Sequence, residues 1–353
     1  MAKQVVMVTP SLKSGGLERI VSRLANHGAE SNRIILVSIS SEPSFFAINK
    51  EVKLVYLPKR ISRVNRYFRL VLIFFWLRST VAALNADVVC TFGEKYNPLF
   101  ILSLLGLKVP IYVSNRASPL SYLYGVKGFI TSRAYQLVSG VILQTSKSKE
   151  ILQEKYKFKS TLILGNPIDL DYPQPSQKKI ILNVGSFTGV KYQDKLIRIF
   201  KTLVDNGMED WDLHFVGSGP KQKTCEELCD ELGLNSRVVF HGVKKNVKGY
   251  FSGSSIFAFT SGSEGFPNAL AEAMAAGCAC ISYDCVSGPS DIIDDGENGF
   301  LIPMNDKDLY ACKLQTLLDD AHLRDKFSSE AILKMEQFEM NYISNKFFNY
   351  LLS

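Results

Sequence analysis

Short apolar runs that alternate with helical segments are the feature that most limits how this chain can fold. From Lys179 onward, five such runs follow one another, and each leads into a turn or a helical pattern. Uninterrupted apolar runs are typical of parallel strands whose two faces are both covered by helices. The predicted strands are Ile180–Val184, Leu213–Val216, Val238–Phe240, Ile256–Phe259 and Ala279–Tyr283. This alternation predicts a doubly wound α/β sheet in the C-terminal half.

The N-terminal half opens with the same kind of unit. A predicted strand, Val5–Val8, precedes a turn at residues 11–16, and a helix with apolar residues at helical spacing follows. Those apolar residues are Ile20, Val21, Leu24 and Ala25. The 353 residues exceed one ordinary core, because a domain contains about 100–200 residues. We therefore expect two doubly wound, Rossmann-like domains that face each other across a cleft.

A lapse in this pattern marks the predicted domain boundary. Gly165-Asn166-Pro167 and the polar stretch at residues 173–177 are typical of a turn followed by a linker. We therefore place an N-terminal domain at residues 1–167 and a C-terminal domain at residues 168–335. Residues 336–353 form a separate C-terminal segment with a predicted helix.

Composition favours a folded cytoplasmic protein. The chain has 46% hydrophobic and 21% charged residues, as globular proteins do. Its first apolar run, Val5–Val8, is shorter than the core of about 7–15 residues in a signal peptide. The seven cysteines are an odd number in such a chain, so we expect reduced thiols. Cys225 and Cys229 lack a second pair with ligand spacing, and no metal site is expected.

Positive charge is concentrated in the N-terminal half. Residues 52–149 contain fourteen basic and two acidic residues, whereas the whole chain has a net charge of only +7. Arginines at positions 60, 63, 66 and 69 lie close to one face of a predicted helix, and the apolar run Leu70–Leu77 follows them. That run is far shorter than the roughly 20 residues that span a bilayer. We expect residues 59–78 either to contact the anionic inner face of the cell membrane or to bury an apolar face within the domain.

The segment with the most chemical information follows the predicted strand at Ile256–Phe259. It reads SGSEGFPNALAEAMAAG from Ser261 to Gly277 and becomes helical near Pro267, which suits a first helical turn. The free N–H groups and the positive dipole end of that helix favour a phosphate or sugar hydroxyl. Glu264 in the loop and Glu272 in the helix are acceptors for sugar and ribose hydroxyls.

These residues resemble a known family. A glutamate, seven residues and a second glutamate within EGFPNALAEAMAAG are similar to the donor motif of glycosyltransferase family 4, which has the GT-B fold. The resemblance continues in the family's order through VGSGP at 216–220, VFHG at 239–242 and DGENGFL at 295–301. In the N-terminal half it rests mainly on SGGLER at 14–19. It implies a retaining transferase whose C-terminal helix packs back on the N-terminal domain.

The resemblance also implies roles for single residues. Lys191 and Glu264 take the catalytic positions. The implied donor-binding residues are Gly15, Gly16, Ser186, His241, Val243, Gly265, Phe266, Pro267, Asn268 and Glu272. Ser186 stands where the family usually has an arginine, so the diphosphate clamp has one cation fewer. Arg116, which follows the predicted strand Ile111–Val113, is our candidate for the missing phosphate or acceptor contact.

Substrates and cofactors follow from the same resemblance. It implies transfer of a hexose or N-acetylhexosamine from a nucleotide sugar to a polyprenyl-diphosphate-linked or other glycan acceptor, in O-antigen, capsule or glycoprotein glycan synthesis. The stretch Cys285–Ile293 is similar to that of members using UDP-linked galactose or N-acetylgalactosamine, which favours UDP over GDP. We expect no required cofactor, because Asp294-Asp295 lies in a turn and is not a metal-bridging carboxylate pair.

Other functions stay open at this point. A nucleotide-sugar epimerase or a sugar phosphorylase could use the same architecture, because a fold does not fix a reaction. An epimerase needs a base at the sugar carbon, and no histidine is clearly placed for that role. A non-catalytic binding protein could use the basic N-terminal half. No nucleic-acid recognition motif accompanies that charge, so nucleic acid is not an expected partner.

Overall fold

The computed structural model of the protein describes residues 2–122, 125–173 and 178–353, and the chain divides into two compact units. The first unit consists of Met1–Pro167 together with Met340–Ser353, and the second is Ile168–Glu339. Residues 336–339, which the sequence analysis assigned to the C-terminal segment, therefore belong to the second unit. Most of the predicted linker at residues 173–177 lies outside the described residues.

The first unit contains a parallel sheet, which has seven strands among its described residues, in the order β3-β2-β1-β4-β5-β6-β7. The strands are β1 Gln4–Thr9, β2 Arg33–Ser38, β3 Lys53–Tyr56, β4 Val88–Phe92, β5 Ile111–Ser114, β6 Gly140–Leu143 and β7 Thr161–Ile163. The helices are α1 Gly16–Gly28, α2 Lys59–Ser62, α3 Arg66–Leu84, α4 Asn97–Leu104, α5 Gly125–Tyr135 and α6 Ser146–Gln153, with α14 Met340–Leu352 at the end of the chain. Strands β1, β2, β4, β5 and β6 are largely buried, as expected for a sheet covered on both faces, whereas the outermost strands β3 and β7 are partly exposed.

The second unit repeats this design with six parallel strands in its described part, in the order β10-β9-β8-β11-β12-β13. The strands are β8 Ile180–Val184, β9 Asp212–Val216, β10 Val238–Phe240, β11 Ile256–Phe259, β12 Ala279–Tyr283 and β13 Gly299–Ile302. The helices are α7 Gln193–Asp205, α8 Gln222–Glu231, α9 Lys248–Ser252, α10 Asn268–Ala275, α11 Pro289–Ile292, α12 Lys307–Asp319 and α13 Ala321–Met335. All five strands predicted in this half are present within one residue of their predicted bounds.

Helix α14 packs on the first unit through its apolar face. Ile343, Phe347 and Leu351 lie one turn apart and are buried. The ring of Phe347 stacks at 6.1 Å on Phe92 at the end of β4. The C-terminal helix thus completes the core of the unit that begins the chain.

The basic segment at residues 59–78 differs from its prediction. The expected single helix is interrupted between α2 and α3, so the predicted arginine face is not continuous. The interruption has a local cause, because the Asn65 side chain accepts a hydrogen bond from Tyr67 N at 3.1 Å and caps a new helix. Helix α3 then continues to Leu84, well beyond the predicted apolar run.

Candidate functional site

The sheet order of the second unit places two loops side by side. Strands β8 and β11 are neighbours although five elements separate them in sequence, so the strand order reverses between them. In open α/β sheets, ligands bind at the carboxyl ends of the strands at such a reversal. The loop after β8 carries Ser186 and Lys191, and the loop after β11 carries Glu264.

Lys191 and Glu264 form an ion pair in which Lys191 Nζ donates to Glu264 Oε1. Their side chains are 22% and 14% exposed, so the pair is largely shielded from water. The backbone fixes the lysine as well, since the carbonyl of Lys191 accepts a hydrogen bond from Thr260 Oγ1 at 2.9 Å. The two predicted catalytic residues are therefore brought together.

Tyr192 links the same two loops. Its backbone has a left-handed φ of 52°, and Gly262 N donates to the Val190 carbonyl at 2.8 Å. A Cβ on Gly262 would lie 2.4 Å from a Tyr192 ring carbon. Glycine at position 262 is therefore what lets the Tyr192 ring lie against the loop that carries Glu264.

The remaining residues of the predicted donor motif surround the start of α10. Pro267 precedes the first helical residue, Asn268, and Glu272 lies one turn further along the helix. Phe266 is buried against Phe338 at 5.5 Å, so it supports the loop from inside. Ser287 Oγ donates to the Gly265 carbonyl at 3.3 Å and ties this loop to the one after β12.

Ser186 lies in a glycine-lined contact between two loops. A Cβ on Gly217, which has a φ of 136°, would lie 2.0 Å from the Gly185 carbonyl oxygen. A Cβ on Gly219 would lie 2.4 Å from the Phe187 oxygen. Ser186 itself is exposed, and its carbonyl accepts a hydrogen bond from Gln193 Nε2 at 3.2 Å. These glycines serve a close backbone approach, and Ser186 brings no positive charge to it.

His241 belongs to a small ring cluster at the end of β10. Its Nε2 lies 3.2 Å from Nδ1 of His214, and its ring centroid is 4.9 Å from that of Tyr250. Burial, followed by the nearby His241, lowers the pKa of His214 below its ordinary value of 6.5. Val243 is 73% exposed just beyond this cluster. An exposed apolar side chain beside these edge-to-face rings offers a surface for a flat ligand such as a nucleobase.

Gly15 and Gly16 follow β1 in the first unit, at the start of α1. The Glu18 side chain folds back under this turn, since Ser11 Oγ donates to Glu18 Oε1 at 2.6 Å. A Cβ on Gly15 would lie 2.2 Å from the other carboxylate oxygen. The SGGLER motif thus encodes a turn built around the Glu18 carboxylate.

Arg116 follows β5 in the same unit and lies in a polar network. Its Nη1 donates to Asn166 Oδ1 at 2.5 Å, and its Nε donates to Ser114 Oγ at 2.9 Å. Burial lowers the pKa of the Arg116 guanidinium to about 10. Its Nη2 is buried and has no hydrogen-bond partner among the described residues.

Glu94 holds the loop that carries Arg116, and the sequence analysis missed it. Its Oε1 accepts hydrogen bonds from the backbone N–H groups of Arg116 and of Ala117, the latter at 2.7 Å. Burial raises the pKa of this carboxyl, whereas those hydrogen bonds oppose the shift. The position of Glu94 could have indicated this role, because it comes two residues after β4, which lies beside β5 in the sheet.

The cysteines form no disulfides, and the two aspartates considered for metal binding contact other protein groups. All seven cysteines are free thiols, and burial raises the pKa of Cys285 to about 12. Asp294 pairs with Lys334 at 2.7 Å, and Asp295 Oδ1 accepts a hydrogen bond from Leu301 N at 2.9 Å. Within the described ranges, no three His, Cys, Asp or Glu residues converge as metal ligands do.

Helix α3 exposes much of its apolar surface. The stretch Tyr67–Leu84 has a mean hydropathy of 1.5, and 17% of it is buried in the protein. By length and composition alone, it could cross a membrane. One face is buried in the core of the first unit, through Ile73, Leu77 and Val81. Tyr67, Phe68, Val71 and Phe75 are exposed. The helix therefore lies on the unit with an uncovered apolar face.

Comparison with known proteins agrees with this geometry. Residues 168–334, nearly all of the second unit, match the family described as glycosyl transferases group 1. The chain is 23% identical to the GalNAc-alpha-(1->4)-GalNAc-alpha-(1->3)-diNAcBac-PP-undecaprenol alpha-1,4-N-acetyl-D-galactosaminyltransferase of Campylobacter jejuni, over 97% of this chain and 96% of that protein.

Solved structures share the fold. The apo lipopolysaccharide outer core galactosyltransferase WaaB superimposes with a TM-score of 0.79 at 19% identity, over 98% of each chain. Anabaena HepE in complex with UDP superimposes with a TM-score of 0.80 at 16% identity, over 99% of each chain. The predicted fold class, two Rossmann-like domains of the GT-B type, is confirmed. The family match and the relatives together support a glycosyltransferase.

Proposed function

We propose that this protein is a retaining glycosyltransferase of family 4 that transfers a hexose or N-acetylhexosamine, of the galactose or N-acetylgalactosamine type, from a UDP-sugar. The observation that carries the proposal is the Lys191–Glu264 ion pair. It lies where the strand order reverses, beside the start of α10, within the region that matches the glycosyltransferase family. Carboxyl ends of strands and a helix N-terminus favour bound phosphates at this place.

Lys191 would stabilise the departing diphosphate. One unit charge at about 4 Å contributes up to roughly 4 kcal/mol at an effective dielectric constant near 20. If that interaction forms only in the transition state, it accelerates the reaction by about three orders of magnitude. Glu264 would accept hydrogen bonds from sugar hydroxyls while it orients the lysine. The diphosphate itself would take the acceptor proton, so no side-chain nucleophile is needed.

Further residues have proposed roles in contacting the base, the ribose and the phosphates. The backbone at His241–Val243 would contact the base, and Glu272 the ribose diol. Gly15 and Gly16 would approach the phosphates or the acceptor through their backbone. Arg116 is the proposed phosphate or acceptor contact of the first unit, and its support is a buried Nη2 that has no hydrogen-bond partner in the described part of the chain.

The proposed reaction uses no divalent cation. Its support is that Asp294 pairs with Lys334 and that Asp295 accepts a hydrogen bond from the Leu301 backbone. Donor hydrolysis should therefore continue in excess EDTA. Loss of hydrolysis in EDTA, restored by added Mg²⁺ or Mn²⁺, would contradict this part of the proposal.

The proposed acceptor is a glycan on a polyprenyl diphosphate, in the synthesis of a bacterial surface polysaccharide or glycoprotein glycan. The support is the Campylobacter relative, whose name specifies an undecaprenol-linked acceptor, and the exposed face of α3. We propose that the protein works at the cytoplasmic face of the membrane, with α3 at the lipid interface.

A donor screen tests the enzymatic proposal. Purified protein is incubated with UDP-, GDP- and ADP-sugars, and melting temperature, released nucleotide and sugar products are measured. We expect a UDP-sugar to stabilise the protein and to be slowly hydrolysed with its anomeric configuration retained. Both effects should fall in Lys191→Ala and Glu264→Ala. They should persist in Lys201→Gln, which removes a partly exposed charge on α7 that pairs with Asp205.

Product analysis separates the other reactions. An epimerase would convert one nucleotide sugar to another without free nucleotide, and a phosphorylase would require inorganic phosphate for turnover. Binding of oligonucleotides without turnover of any sugar nucleotide would favour a non-catalytic protein.

The membrane proposal has its own test. Co-sedimentation with anionic phosphatidylglycerol vesicles should exceed that with neutral vesicles, because nine cations and the apolar face of α3 lie in the segment between residues 52 and 108. Phe75→Ser should reduce binding, since Phe75 is 62% exposed on α3. Phe45→Ser is the matched control, because Phe45 is 70% exposed but lies outside α3. Equal loss in both variants would remove α3 as the docking element.

A further inference from the structure

A cavity of about 330 Å³ in the second unit lies apart from the proposed donor residues. One wall is formed by α7, with Lys195 and Arg198. The other wall is the beginning of α12, with Asn305, Lys307 and Asp308, and Tyr283 at the end of β12 also lines the space. None of the roles proposed above uses this cavity.

The cavity carries an excess of positive charge. Three of its lining residues, Lys195, Arg198 and Lys307, are cationic, and Asp308 is the one acidic residue among them. In the described part of the chain, no ion pair within 4.0 Å joins any of these three cations to a carboxylate. Lys195 Nζ instead donates to Asn305 Oδ1 at 2.8 Å. Three cations around one carboxylate leave the lining with a net positive charge, which favours an anionic ligand.

A second, independent observation concerns Tyr283. Its side chain is 1% exposed, and its hydroxyl is buried without a hydrogen-bond partner among the described residues. Burial, followed by Asp306 and Asp308, raises the pKa of this phenol to about 12. The hydroxyl is therefore a neutral donor beside the first turn of α12, and an unpaired buried donor is costly unless a ligand accepts its hydrogen bond.

The start of α12 adds to this environment. The helix has thirteen residues and begins at Lys307, so its positive dipole end faces the same space. Asp306 already caps Leu309 N at 3.0 Å, and the Lys307 and Arg198 side chains supply charged donors in the cavity lining. A planar guanidinium with two ammonium groups matches the several oxygens of a phosphate.

We propose that this cavity binds the phosphate group of a small phosphorylated metabolite through Lys195, Arg198, Lys307 and the Tyr283 hydroxyl. The site is separate from the diphosphate clamp at Lys191. We assign this site a regulatory role, because its lining residue Lys195 contacts the loops of the proposed donor site. The regulatory role rests on the proposed function, whereas phosphate binding does not.

Lys195 provides the connection to those loops. Its ammonium lies 3.8 Å from the ring centroid of Tyr192, and that ring lies against Gly262 in the loop that carries Glu264. A phosphate that draws Lys195 into the cavity would weaken its contact with Tyr192. Occupancy should therefore change nucleotide affinity at the neighbouring site.

Isothermal titration calorimetry of the protein with inorganic phosphate tests the proposal. A titration with chloride at the same ionic strength is the control. We expect saturable binding that weakens about tenfold or more in the double variant Arg198→Gln, Lys307→Gln, because two charge-assisted contacts are lost. Lys201→Gln on the same helix should bind like the wild type. Tyr283→Phe should weaken binding without lowering the melting temperature, since its hydroxyl has no partner to lose.

Three results would overturn it. Phosphate binding that is absent or does not saturate removes the site. Binding lost in Lys191→Gln but kept in the double variant assigns the phosphate to the donor clamp. An unchanged Kd for UDP at saturating phosphate removes the regulatory role. Phosphate titration requires no sugar nucleotide, so its outcome is distinct from a failure of the donor screen.

Discussion

Lys191 and Glu264 are 73 positions apart in the sequence, and the fold joins them in a partly buried ion pair. Each residue neutralises the other, so the loss of one leaves an uncompensated charge in the site. In the proposed reaction, the carboxylate would hold the ammonium in place before a diphosphate arrives.

Substitution of this lysine should lower stability, because Glu264 loses its partner, and should also slow the proposed reaction. We expect Lys191→Gln to lower kcat for donor hydrolysis by about two to three orders of magnitude, because one cation no longer stabilises the leaving group. Steady-state kinetics with the donor found in the screen measures this. A decrease below about threefold in kcat would show that Lys191 does not face the departing charge.

A second prediction concerns the glycines behind Ser186. Gly217→Ala should destabilise the protein by more than about 1 kcal/mol, because the new Cβ meets the Gly185 carbonyl and φ is positive. Gly185→Ala is the control on the other side of the contact, since its Cβ meets nothing within 4 Å. Thermal or urea unfolding compares the two variants, and equal midpoints would contradict the close approach.

Much of this fold could be predicted because its strands are short apolar runs between turn residues. The boundaries of β8, β11 and β12 follow from that pattern alone, since these strands are largely buried. The break at Asn65 could not be predicted in the same way. The arginine spacing on both sides of Asn65 suits a continuous helix. The hydrogen bond from Tyr67 N to the Asn65 side chain instead starts a new helix at this point.

The candidate site also contains residues that could be predicted from the sequence and residues that could not. Lys191 and Glu264 lie in recognisable motifs, and the sheet order explains why they meet. Glu94 was missed because its contacts are with backbone N–H groups, which any residue in the loop provides, and its sequence neighbours indicate none of this. The cavity around Tyr283 likewise joins α7, β12 and α12, which are separated in sequence and meet only in the fold.

The role of Glu94 can be tested directly. Glu94→Ala should cost about 1–3 kcal/mol, because the N–H groups of Arg116 and Ala117 lose their buried acceptor. Glu94→Gln keeps an amide oxygen that can accept from both groups, so it should recover most of that stability. Urea unfolding measures both variants. If Glu94→Gln is as unstable as Glu94→Ala, the carboxylate acts through its charge and the hydrogen-bond argument is wrong.

Acidification should weaken the second unit through His214. Its folded pKa lies below the ordinary 6.5, so the unfolded chain binds more protons as the pH falls past that value. Stability from neutral His214 is complete above about pH 6.5 and is lost as the pH falls toward the folded pKa. His214→Gln should flatten this loss in urea unfolding between pH 7.5 and 5.5. His322→Gln, at an exposed position on α13, controls for loss of a histidine.

The C-terminal helix should determine the stability of the unit that begins the chain. Phe347 is fully buried and stacks on Phe92, so Phe347→Ala should cost about 3–5 kcal/mol through lost burial and a new cavity. Asn349→Ala, on the exposed face of the same helix, should stay within about 0.5 kcal/mol of the wild type. Deletion of residues 340–353 should lower the melting temperature further, because it uncovers the apolar surface of α1 and β4 beneath the helix. An unchanged melting temperature after deletion would mean that α14 is not part of that core.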